Sequence, residues 1–257
     1  MSLINPIFCS FLVDRVWNWS ENIWNNKSTG NTKRRRNDGT RNSRKNDHHK
    51  TDRRTVPGKL VRKPQIALDV ELNALLINCR SLPPKLTSLA ENFKTNKATL
   101  ALLTETWFSK GNKKVAHGLN ILSQRDNISF IRKDRNTRGG GVAIAFNSSK
   151  IEVKKMPLTS LAKSPFEILV GKGKMIGVKK CHIVVACYIP PSYNSRQNKE
   201  FFDALTDAIS EARSAVPDAW ITIGGDWNGR SLGDISKLFP DLVEIPSPPH
   251  VRTPRWI

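Results

Sequence analysis

The stretch TLALLTETW, Thr99 to Trp107, sets the reading of the whole chain. Leu100 to Thr104 is an unbroken run of apolar or β-compatible residues, too short for a core helix and lacking polar alternation. Such a run reads as a strand buried on both faces. It ends on Glu105. A carboxylate inside a buried strand is costly, but at the strand's end it reaches a rim. The stretch WITIGGDWN, Trp220 to Asn228, repeats the arrangement. Trp220 to Ile223 is a core strand, Gly224 and Gly225 allow a sharp turn and close backbone approach, and Asp226 follows. Asn228, two residues on, projects to the same side as Asp226 if the chain stays extended. LNALLIN, Leu72 to Asn78, is a third buried strand and closes on Asn78.

Outward from these strands the texture is layered. Pro83 and Pro84 open a helix with Leu86, Leu89, Ala90 and Phe93 at helical spacing. Strands are expected at Ile128 to Arg132 and Gly141 to Phe146, tightly linked through glycines 139–141, with weaker ones at Ile151 to Met156 and Glu167 to Val170. HIVVACYI, His182 to Ile189, is a continuous apolar run stopped by Pro190 and Pro191. Residues 198–214 form an amphipathic helix with Phe202, Leu205, Ile209 and Ala212 on one side, and 246–257 hold four prolines with no regular structure to read. Eight or nine strands with two or three helices between groups of them indicate layered α/β architecture, since strands apolar on both faces need cover on both sides.

The N-terminal quarter differs. Residues 7–24 carry a helical stripe of Phe8, Phe11, Leu12, Val16, Trp19 and Ile23, expected to be a short amphipathic helix within 1–24. Residues 25–64 are polar and basic and read as a disordered arm. Between 27 and 63, fourteen Lys or Arg face three Asp, a net +11 of the chain's +20. Polyanions are the natural partners of this balance. Lys33 to Arg36, with Arg44 and Lys45, suit nuclear import or nucleic-acid contact, and equally a solvated linker. The globular part is expected over 65–257. Cys9, Cys79, Cys181 and Cys187 form no C-x-x-C pair and read as reduced thiols. No apolar run reaches the ~20 residues that span a bilayer, and the N-terminus lacks a signal peptide's basic region, so an intracellular protein without a membrane partner is expected.

The polar residues at the strand ends are hard oxygen donors of the sort that suit Mg²⁺ or Mn²⁺, an ion able to polarise a phosphoryl oxygen. The Tyr188 phenol and Arg138, just before the glycines, are within chemical reach of a phosphate. Singly, each reads more simply as a buried aromatic and a surface charge.

Taken in order, Asn78-x-Arg80-Ser81-Leu82, Thr104-Glu105-Thr106-Trp107, Arg138-Gly139-Gly140-Gly141-Val142, Tyr188-x-Pro190-Pro191 and Gly225-Asp226-Trp227-Asn228 resemble the endonuclease/exonuclease/phosphatase superfamily. More narrowly, residues 70–255 are similar to the apurinic-endonuclease-like domain of non-LTR (LINE-type) retrotransposons. The resemblance implies a four-layered α/β sandwich, two mixed β-sheets flanked by helices, and Mg²⁺-assisted nicking of DNA to give a priming 3′-hydroxyl. It implies that Glu105 ligates the metal, Asn78 assists at metal or phosphate, Tyr188 binds phosphate, Asp226 orients or activates water and Asn228 contacts the scissile phosphate. Thr253 and Arg255 fall where the family has a Thr-Arg pair. No small-molecule cofactor is implied. The family closes with two further strands, one bearing an Asp and one ending in Ser-Asp-His. No Ser-Asp-His occurs here, and none of His48, His49, His117, His182 or His250 matches it. The expectation is therefore a domain missing its last strands, with an unpaired sheet edge and weak or no nicking. The alternative is a non-catalytic nucleic-acid-binding remnant working through the basic arm. Lipid phosphodiesters fit the charge poorly, whereas RNA fits it as DNA does.

Overall fold

The computed structural model describes residues 9–13, 72–109, 111–135, 139–230 and 237–245. It contains two mixed sheets. One runs β10 (Val243–Ile245), β1 (Cys9–Val13), β9 (Trp220–Asp226), β8 (Cys181–Tyr188), β7 (Glu167–Met175), β6 (Ile151–Lys155). The other runs β2 (Ala74–Asn78), β3 (Leu100–Thr104), β5 (Val142–Asn147), β4 (Ile128–Lys133). The pairs β2/β3 and β8/β9 are parallel, and every other pair is antiparallel. Parallel neighbours need a crossover. Helix α1 (Leu86–Thr95) supplies the first and α3 (Ser195–Ala215) the second.

Strand parity builds the layers. In β3, Leu100 and Leu102 join Val142, Ile144, Val153, Leu169, Val184 and Ala186 in a core between the sheets. Ala101 and Leu103 point the other way, onto Leu89 and Phe93 of α1 and Val115 and Leu122 of α2 (Lys113–Asp126). In β8 and β9, Ile183, Val185, Ile221 and Ile223 pack on Phe201, Leu205 and Ile209 of α3. The order is α3, six-stranded sheet, four-stranded sheet, α1 with α2, which is the four-layered sandwich expected. The apolar runs have no polar alternation because both faces of each central strand are covered.

One sequence expectation is corrected, and one helix had none. Cys9–Val13, inside the stretch expected to be an amphipathic helix, is a strand paired with β9 and β10. CSFLV is rich in strand formers, and five residues cannot distinguish helical from extended periodicity once ladder partners are available. The same pairing gives β9 a partner on the side away from β8, and the edges of the sheet are β10 and β6. Helix α2 went unread because KKVAHGLNILSQRD buries only Val115 and Leu122 and carries Gly118 at its centre. Its start is marked by Asn112, whose side chain accepts from the backbone N–H groups of Lys114 and Val115. The arm at 25–64, the rest of 1–24, and Arg138, Thr253 and Arg255 lie outside the described residues.

Candidate active site

Each parallel pair brings its two C-terminal ends to the same side of the molecule, and parity turns the terminal side chains toward the space between the sheets. Asn78 lies opposite Thr104 in the β2/β3 register, and Tyr188 opposite Asp226 in β8/β9. Asn78 then joins the sheets. Its Nδ2 donates to Glu105 Oε1 at 3.0 Å and to Asp226 Oδ2 at 2.7 Å, a bond between residues 148 positions apart. The Tyr188 hydroxyl donates to the same Oε1 at 3.3 Å. Asn78 Oδ1 accepts from the Arg80 N–H at 3.1 Å, which fixes the direction of the amide. Asn78, Asp226 and Tyr188 are 3%, 1% and 7% exposed, and Glu105 is half-buried at the rim.

Glu105 leaves its strand with φ +50, a left-handed turn that swings it out of the sheet. The turn is clasped by the glycine segment: Thr106 N–H donates to Gly141 O at 3.1 Å and Trp107 N–H to Gly140 O at 2.9 Å. Asn228 is placed differently from the extended projection expected. Strand β9 stops at Asp226, Asn228 has φ +47, and its backbone N–H folds back onto Asp226 Oδ1 at 3.1 Å, an Asx-type turn. Its side-chain Nδ2 donates to Ile189 O at 2.7 Å, leaving one amide proton for another acceptor.

Burial of Asp226 pushes its pKa above the usual carboxylate range, with Glu105 adding to the rise, while the bonds from Asn78 and Asn228 and the charge of Arg80 oppose it. Burial, followed by the neighbouring carboxylates Glu105 and Asp226, pushes Tyr188 up, so its phenol stays protonated and a donor.

Two participants carry no sequence signal. Glu167, 6% exposed, sits opposite Tyr188 in the β7/β8 register. It accepts from the Gly141 N–H and pairs with Arg135 at 3.2 Å, so a buried carboxylate holds the glycine segment that holds Glu105. A Cβ on Gly140 would stand 2.5 Å from that carboxylate, at a φ of +66. Arg230 donates to the carbonyls of Asn228 (3.0 Å), Pro190 (3.2 Å) and Tyr193 (3.2 Å), tying the turn after Asp226 to the turn after Tyr188. Neither residue ends an apolar run, which is the only pattern that marked the others.

The donor set fits a Mg²⁺-type ion. Both bonds to Glu105 land on Oε1, which leaves Oε2 for another partner, and the second lone pair of the Asn78 amide oxygen is uncommitted after its bond from the Arg80 N–H. Mg²⁺ characteristically takes one or two protein oxygens and completes its shell with water and substrate phosphate. Among the described residues, no group of three or more His, Cys, Asp or Glu side chains is placed to hold a metal alone. None of the described histidines bonds Asp226: His182 lies at the opposite end of β8 from Tyr188, bonded to Thr222 Oγ1 at 2.8 Å.

The chain matches no family model and no curated protein sequence. Among solved structures it is similar to the 3′ phosphatase NExo from Neisseria bound to a product DNA hairpin (19% identity, TM-score 0.45, covering 62% of this chain and 58% of that one). It is also similar to the endonuclease domain of TRAS1, a telomere-specific non-LTR retrotransposon (17%, 0.44, 66% and 69%). The human Nocturnin catalytic domain gives 10%, 0.45, 62% and 64%. At these values the likeness says nothing about chemistry. No helix among the described residues is long and apolar enough to cross a membrane.

Proposed function

We propose that this chain is a Mg²⁺-dependent phosphodiester hydrolase that nicks DNA, of the kind carried by non-LTR retrotransposons. The observation that carries the reading is the bridge at Asn78, one amide nitrogen holding carboxylates from two sheets, with a protonated phenol on the first of them. Two carboxylates on one neutral donor at the ends of buried strands lose solvation for little counter-charge, and perturbed groups of this kind cluster at functional sites.

In this reading Glu105 and the Asn78 amide oxygen would hold Mg²⁺ or Mn²⁺, which would polarise a phosphoryl oxygen and stabilise the leaving oxyanion. Asp226 orients a water and takes its proton as the oxygen attacks phosphorus. Its raised pKa makes it a better base than a solvated carboxylate. The bond from phosphorus to the 3′ oxygen breaks, leaving a 3′-hydroxyl, protonated from solvent, and a 5′-phosphate. The Tyr188 hydroxyl turns its one proton from Glu105 to a non-bridging oxygen when the phosphate binds, the remaining Asn228 amide proton takes another, and Arg138, Thr253 and Arg255 contact the DNA backbone. Asp226 takes that proton without an imidazole partner among the described residues, and the turnover expected is slow. The basic arm supplies sequence-independent phosphate contacts and directs the protein to the nucleus.

The density of charge in 27–63 favours one second reading, a non-catalytic DNA-binding protein. A nicked-duplex assay separates them. Mg²⁺-dependent single-strand cuts that a polymerase extends directly support hydrolysis. Steeply salt-dependent binding without any cut, lost on deleting 27–63, supports the second reading and sinks the first.

A further inference from the structure

The indole of Trp107 has no role in the arrangement described so far. It is 38% exposed, the one large aromatic so exposed among the described residues, and it joins none of the three cores. Among the described residues no ring, cation or hydrogen bond engages its side chain. Its backbone, by contrast, is fixed. The N–H donates to Gly140 O at 2.9 Å, and the flanking Thr106 and Phe108 are 0% and 2% exposed. Its φ of +54 is one that a bulky residue rarely adopts. The chain thus holds a flat apolar ring out to solvent on an anchored backbone, two residues from Glu105 and so within about 7 Å of it along the chain.

We infer that Trp107 is a stacking platform for an unpaired nucleobase beside the scissile phosphate. The inference rests on the phosphodiester reading, in which Glu105 fixes where that phosphate sits. A nucleotide places its base close enough to its phosphate to touch both residues. Any base offers a π-face to an indole, and stacking of this kind tolerates sequence. A docked protein would instead need a contiguous apolar patch. Of the other exposed apolar residues, Ile121 lies on α2, Ile176 just after β7 and Leu238 between β9 and β10, so none adjoins Trp107 in sequence. An unpaired or easily unstacked base is the cheapest to present, so the platform favours distorted duplex over perfect duplex.

The test is binding of the full chain, with Ca²⁺ replacing Mg²⁺ to prevent cutting, to two labelled duplexes that differ by one unpaired base. Anisotropy is read across a series of salt concentrations. The unpaired duplex should bind more tightly. Trp107→Ala and Trp107→Leu should each weaken it roughly 5- to 150-fold, the range for one base–aromatic stack, with little effect on the paired duplex. Trp107→Phe should retain most of the affinity, because the aromatic face and not the bulk is used. The slope of log affinity against log salt should not change, since stacking releases no counterions. Equal losses on both duplexes, a changed slope, Phe no better than Leu, or no loss at all would each overturn the platform while leaving the hydrolase reading standing. Failure of the unsubstituted chain to bind either duplex at low salt would overturn both.

Discussion

Asn78 holds Glu105 and Asp226 through one nitrogen, so its replacement acts on both halves of the site. Among the influences that oppose the burial-raised pKa of Asp226, the Asn78 bond is the largest. Asn78→Ala removes it. The Asp226 pKa then climbs further, and the acid limb of the pH–rate profile moves to higher pH. Activity at neutral pH should fall about 10²- to 10³-fold, as for loss of a preorganised donor, and stability by roughly 1–3 kcal/mol, the cost of an abandoned buried acceptor. An acid limb that stays in place would take Asp226 out of the proton transfer. Residues of this sort were legible in sequence because Asn78, Glu105, Tyr188 and Asp226 each end or follow an apolar run. Glu167 opens its strand, and its meaning lies in a cross-strand register with Tyr188 that no local pattern encodes. Arg230 acts through backbone carbonyls of two separate turns, a role that leaves no mark on composition.

Among the elements, β8 carries a pH dependence at the end remote from the site. His182 is 6% exposed, and burial lowers its pKa from 6.5 to about 4. Between those values the unfolded chain binds a proton that the folded chain does not. Stability therefore falls as pH drops from about 6.5 toward 4, by up to roughly 3 kcal/mol across that gap. Urea unfolding at stepped pH should show the loss, and His182→Gln should flatten it. A pH-independent urea midpoint in the unsubstituted chain would contradict a neutral buried imidazole. Strand β1 supplies a second test. It lies between β9 and β10, with Cys9 opposite Asp226. Deleting residues 1–13 strips the strand that ends in Asp226 of a ladder partner and leaves an edge, which should lower the unfolding midpoint and promote concentration-dependent association seen by light scattering. An unchanged midpoint and monodisperse scattering would show that β9 does not depend on this pairing. Central strands were readable because burial on both faces removes polar alternation. Strand β1 was not, because its partners lie more than 200 positions away and five residues fit either periodicity. Helix α2 was not, because its apolar stripe is thin.

At the scale of the molecule, four layers follow from simple parity. Each apolar run packs one set of side chains between the sheets and the other against helices, and the two parallel pairs carry their polar ends to one side. The layered class was therefore visible in the sequence, and the extension of the six-stranded sheet through β1 was not. The net charge of +20 suits a polyanionic substrate, but charge alone serves binding and catalysis equally. What separates them is whether the Asn78 bridge does chemistry. The direct measurement is relaxation of supercoiled plasmid by the full chain with Mg²⁺ and with EDTA, repeated for Glu105→Ala and Asp226→Asn. Slow, Mg²⁺-dependent conversion to the nicked circle that both substitutions abolish is the result expected. Plasmid left supercoiled at every Mg²⁺ concentration, or nicking that survives both substitutions, would contradict it.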